Sequence, residues 1–72
     1  MDRTERIAWA KDRAMEYVRQ GDHDMAIVSL MSDLTKHPET QDHDCILLGT
    51  MLAINGNLST IPQVRDWIDG IN

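Results

Sequence analysis

Two copies of one spacing pattern, set a helical hairpin apart, constrain this chain more than anything else in it. The first runs Ala14-x2-Tyr17-x3-Gly21-Asp22-x3-Ala26-x3-Leu30-x3-Leu34-x3-Pro38; the second, less complete, runs Leu48-Gly49-x2-Leu52-x3-Gly56-Asn57-x3-Ile61. In each, apolar residues recur three and four apart, stop at a glycine and resume beyond it. Such a rhythm buries one face of a helix, breaks the helix where a left-handed residue is available, and starts a second helix running back. The expected fold is therefore all-α, with four short helices in two antiparallel helix hairpins and no segment that reads as a strand.

The chain of 72 residues is expected to be a single helical domain. Its first helix is expected over about residues 4–20, capped by Thr4, with Ile7, Ala10, Ala14, Tyr17 and Val18 as its apolar stripe. Gly21 ends it, and Asp22 or Asp24 caps the second, expected over about 23–37. There Ala26, Ile27, Leu30, Met31 and Leu34 form the stripe, while Ser29, Ser32, Asp33 and Lys36 mark the outer side. Pro38 closes this helix because its ring denies His37 helical geometry. The third, over about 42–55, is apolar around most of its circumference, which requires cover on several sides. Asn55-Gly56-Asn57 is a turn, and Thr60-x2-Gln63 has capping-box spacing with Pro62 in the first turn of the last helix, about 61–69. Ile61, Val64, Trp67, Ile68 and Ile71 are its stripe, and Gly70 stops it.

A core of this size buries about 60% of the unfolded surface and leaves little room for a deep active site. The net charge of −5, with acids dispersed and the basic residues of the first helix interleaved with Asp2, Glu5, Asp12 and Glu16, argues against duplex nucleic acid as a partner. The longest nearly apolar run, Cys45 to Ile54, is about half of the roughly 20 residues that a membrane span needs. The charged N-terminal stretch does not read as a secretion signal, and a single cysteine permits no internal disulfide; a reducing, cytoplasmic setting is expected.

The first pattern resembles the tetratricopeptide repeat, a helix-turn-helix unit of about 34 residues. Ala14 and Ala26 stand at its small positions, Tyr17 at the aromatic, Gly21-Asp22 at the turn, Leu30 at the large position and Pro38 at the terminator. The second copy keeps Leu48-Gly49, Leu52 and Gly56-Asn57, but Arg65 falls where a large apolar residue belongs and Asp33 where the first copy wants a small one. Two repeats are also fewer than a solenoid needs. The resemblance thus implies either a tetratricopeptide-like pair or a compact helical bundle, and the bundle suits the departures better.

Over its whole length the chain is also similar to a set of small tailed-bacteriophage proteins. The likeness is carried by Trp9-Ala10-x-Asp12-Arg13-Ala14-x-Glu16-Tyr17, Gly21-Asp22, Ser32-Asp33-Leu34-x-Lys36-His37-Pro38-Glu39-Thr40 and Trp67-Ile68-x-Gly70-Ile71-Asn72. It brings no particular activity with it. It implies a phage protein made in a bacterial cytoplasm, a setting in which many small proteins act by binding host components.

No constellation of residues points to catalysis. His37, His43 and Cys45 are zinc-type ligands, but their spacing matches no common site and residues 43 and 45 point to different faces at a helix start; no metal and no cofactor are expected. Cys45 heads an apolar run and reads as a buried structural thiol rather than a nucleophile. The aspartates around His23 and His43 suit helix N-termini. The five methionines suit an adaptable core or contact surface, core filling being the default. Trp9 falls outside its helix's stripe, beside Arg13, Glu16 and Gln20, as an interface anchor would, or as a cover for the edge of the core against the C-terminal helix would. With Asp33, Lys36 and His37 at a polar corner, these are the candidate partner-binding residues. Ile46, Leu47, Met51 and Ile54 of the third helix, with Trp67, are the candidate self-association residues of a homo-oligomer. The expected function is non-enzymatic: a phage-encoded interaction module that binds and modulates a host protein, with counter-defence inhibition its most concrete form. Sequestration of a small molecule such as a nucleotide between subunits, and a structural or assembly role in the virion, are the alternatives.

Overall fold

The structure, a computed structural model, describes residues 2–71. Met1, one of the five methionines, and Asn72, which ends the phage-like stretch, lie outside the described residues. Four helices and no strand occur among the described residues: α1 (Arg3–Arg19), α2 (His23–Thr35), α3 (Asp44–Ile54) and α4 (Ile61–Asp69). The expected all-α fold is what the chain adopts.

Each helix starts on a side-chain acceptor. Asp2, not Thr4, caps α1, its carboxylate accepting from the backbone N–H of Glu5, and Asp22 does the same for Met25 in α2. At α3 the cap is the imidazole of His43, whose Nδ1 accepts from the backbone N–H of Cys45 at 3.0 Å. This places the start of α3 two residues later than expected. At α4 the capping box forms in both directions: Thr60 accepts from the backbone of Gln63, and the Gln63 side chain accepts from the backbone of Thr60.

Both hairpin turns use one geometry. Gly21 and Gly56 each take φ +77°. At the first turn the Asp22 N–H bonds the Tyr17 carbonyl and the Gly21 N–H that of Val18; at the second, Asn57 bonds Leu52 and Gly56 bonds Ala53. This is the paired closure of a Schellman motif, and it satisfies carbonyls that the helix end would leave open. Helix α2 stops differently, and two residues earlier than expected. Pro38 has no N–H to offer the carbonyl of Leu34, and the hydroxyl of buried Thr40 donates to that carbonyl instead, at 2.6 Å.

Helices α1 and α2 form the closest pair, α4 lies against both, and α3 approaches α2 over a smaller area. Ala10, Ala14 and Ala26 are fully buried, so the backbones of α1 and α2 meet with little side chain between them. Leu30, Leu34, Val64 and Ile68 fill the remaining centre, and Leu58 and Ile71 close its ends. The stripes expected for α1, α2 and α4 are the core-facing stripes observed, with Tyr17, Ile27, Met31 and Ile61 at its edge. Lys11 ties the C-terminal segment to α1 by donating to the Ile71 carbonyl at 2.9 Å. The radius of gyration, 11.1 Å, is that of a well-packed chain of this length.

Two expectations for α2 are corrected. Ser29 and Asp33, expected outside, are buried. Asp33 tolerates burial because α1 brings a cation to it, a contact between residues far apart in sequence.

Candidate interaction site

The antiparallel register of α1 and α2 is marked by two ion pairs, Arg6–Glu39 at 3.3 Å and Arg13–Asp33 at 2.8 Å. A hydrogen bond from backbone N–H, aided by the charge of Arg6, holds the Glu39 carboxyl below the ordinary range. Trp9 lies on α1 between Arg6 and Arg13, the two residues that make these pairs.

At the centre of this corner is a three-part stack. The Asp33 carboxylate, 3% exposed, accepts from Nε of Arg13, whose side chain is half exposed. The guanidinium of Arg13 lies over the Trp9 ring, 5.0 Å from its centroid, one helical turn away. Trp9 itself is 37% exposed. Cation–π contact at an exposed site contributes about 0.5–1 kcal/mol, and anchoring the cation on a buried carboxylate limits the rotamers open to it. The indole is thus presented on a supported platform.

The other candidates are arranged around the stack. Glu16 is ion-paired with Arg19 on the exposed side of α1 and borders a shallow hollow with Arg13, Tyr17 and Gln20. Lys36 is exposed at the C-cap of α2, and His37 is half buried. The structure therefore links Trp9, Arg13 and Asp33 through the Arg13 guanidinium and sets Glu16 beside Arg13, while Lys36 and His37 follow at the end of α2 with no contact to the stack among those described. Arg13 and Asp33 pair across 20 residues of sequence, which no local pattern indicates, and Tyr17, expected in the stripe of α1, also borders the hollow beside Arg13.

The self-association candidates divide. Leu47, Met51 and Ile54 are exposed, and Ile46 is half buried. Trp67 is 6% exposed and belongs to the core, where its ring edge rests on Gly49 of α3. Its indole N–H is buried with no partner among the described residues. It is therefore not a surface contact, and the hole at Gly49 is the reason: only a residue without Cβ lets the ring approach this closely.

A larger groove, about 630 Å3, opens between α3 and α4, where Cys45, Leu48 and Leu52 face Asp66, Trp67 and Ile71. Burial, with the charge of Asp44 beside it, pushes the Cys45 thiol up to about 11, so the group is protonated and a poor nucleophile at neutral pH. Among the described residues no three His, Cys, Asp or Glu side chains gather as metal ligands, and no helix is long and apolar enough to cross a membrane. Comparison of the chain with family models, curated proteins and solved structures finds no significant match in any of the three.

Proposed function

We propose that this chain is a non-enzymatic interaction module that presents Trp9 to a protein partner. The observation that carries the reading is the Trp9–Arg13–Asp33 stack, an aromatic and an arginine held in place before binding by a buried carboxylate. Tryptophan and arginine are the residue types most enriched where binding energy concentrates, and prior ordering lowers the entropic cost of docking. In the phage setting that the sequence resembles, the partner is a host protein whose activity the module modulates, with inhibition of a defence protein as the most concrete form. A pull-down from infected cells with the wild-type protein beside Trp9→Ala tests this. A specific host protein should be retained by the wild type and lost from the variant. Recovery of none, or equal recovery by both, counts against the reading.

A second reading, sequestration of a small molecule, draws on the groove between α3 and α4, whose size is in the range of ligand sites. Asp44 and Asp66 at its edge favour an uncharged or cationic apolar compound over a nucleotide. A thermal-shift screen containing both kinds of compound distinguishes them, and no shift with either removes this reading.

A further inference from the structure

Helix α3 carries two seams of the same spacing. Cys45, Gly49 and Leu52, at i, i+4 and i+7, turn toward the rest of the chain. Leu47, Met51 and Ile54, again at i, i+4 and i+7, turn away from it and are 67%, 52% and 80% exposed, with Leu48 widening the patch on the groove side. Spacing of four then three is the seam by which one helix packs along another. One seam of α3 is occupied by its own chain, and the other has no cover among the described residues.

We propose that a second copy of this chain covers the outer seam, α3 lying antiparallel on α3 about a twofold axis near Met51. Charge and spacing favour this occupant. From Cys45 to Ile54 the helix has no charged side chain, although each copy carries a net charge of −5. Two such molecules repel over most of their surfaces and can approach best along an uncharged face. A twofold contact must be self-complementary. In the antiparallel register Met51 meets Met51, and Leu47 of each copy meets Ile54 of the other, so every apolar group in the seam finds an apolar partner. A parallel pair would set two Asp44 carboxylates and two like helix-dipole ends side by side, whereas the antiparallel pair separates the carboxylates and opposes the dipoles. Ile46, Thr50 and Ala53 line the rim of the patch and carry no charge either.

Sedimentation equilibrium tests the pairing. The wild type should sediment at about twice its 8.2 kDa mass at micromolar concentration. Met51→Asp, which sets two like charges on the axis, should raise the dissociation constant at least 100-fold with an unchanged circular dichroism spectrum. Met51 is already half exposed, so this variant is expected to fold; Ile54→Asp is a second at a still more exposed position. A wild type that is monomeric throughout, or folded variants that remain dimeric, would overturn the proposal. Oxidative cross-linking reads the direction: Met51→Cys should give a disulfide-linked dimer and Leu47→Cys should not, while efficient linking through Leu47→Cys refutes the antiparallel arrangement. Trp9 lies on α1, so host-protein capture by Met51→Asp separates failure of this contact from failure of the Trp9 reading.

Discussion

Gly49 is the residue on which the position of α3 depends. A Cβ built there would lie 2.3 Å from Cζ2 of Trp67 and 2.7 Å from Cε of Met31. The methionine end can swing aside, but the indole is held in the core and cannot. Replacing a mid-helix glycine by alanine ordinarily stabilises by up to about 1 kcal/mol, and here overpacking of about 1–3 kcal/mol opposes it. Gly49→Ala should therefore lower the thermal midpoint and shift Trp67 emission, whereas Gly70→Ala, whose Cβ would meet only ordinary contacts from 3.5 Å, should be close to neutral. Cys45 makes a prediction of opposite kind, about pH. Its thiol is raised to about 11 in the folded chain, against about 8.5 when unfolded, so the native state keeps its proton longer. Stability from this group is complete below about pH 8.5 and declines as the pH climbs toward 11, which urea titrations across that range would detect. Cys45→Ser, lacking the titrating thiol, should flatten the decline.

At the scale of the element, the short-range signals were legible and the exact ends were not. Gly21, Gly56, Asp22 and the Thr60–Gln63 box act within a turn or two of themselves, and each does what its local sequence indicates. Helix α1 starts earlier than Thr4 because Asp2 and Thr4 are both competent caps and the helix extends to the earlier one. Helix α2 ends before residue 37 because the carbonyl left open by Pro38 is met by Thr40, a bond reaching over a loop whose path local propensity does not specify. The capping box at α4 should matter to the whole fold, because α4 is short and carries Val64, Trp67 and Ile68 into the core. Thr60→Ala should destabilise the protein by about 1 kcal/mol in equilibrium unfolding. Thr60→Ser should restore most of that loss.

For the whole molecule, the uneven packing of the helices predicts uneven stability. The pair α1–α2 with α4 across it is a continuous core, while α3 adds Cys45 and Gly49, with Ile46 and Leu52 only partly buried, against the edges of Met31 and Trp67. Regions with few buried apolar contacts open at lower free energy than the global transition. Hydrogen exchange on dilute protein should therefore show α3 amides exchanging before those of α1 and α2, and protection of α3 alone should rise with concentration if the outer seam pairs. Uniform exchange across all four helices would contradict this division. The sequence by itself determined the all-α class, the order of elements, the turns and the buried stripes of α1, α2 and α4, because these follow from residues three or four apart on one helix. It also singled out Trp9 as an aromatic off its stripe. Only the tertiary structure decided that Asp33 is buried, that Trp67 belongs to the core and that α3 turns Leu47, Met51 and Ile54 outward. Each depends on residues brought together across the fold: Arg13 neutralising Asp33, and Gly49 admitting Trp67. A helix apolar on every side offers its own periodicity no preferred face, so the face turned inward depends on contacts from elsewhere in the fold, the Trp67 ring against Gly49 among them.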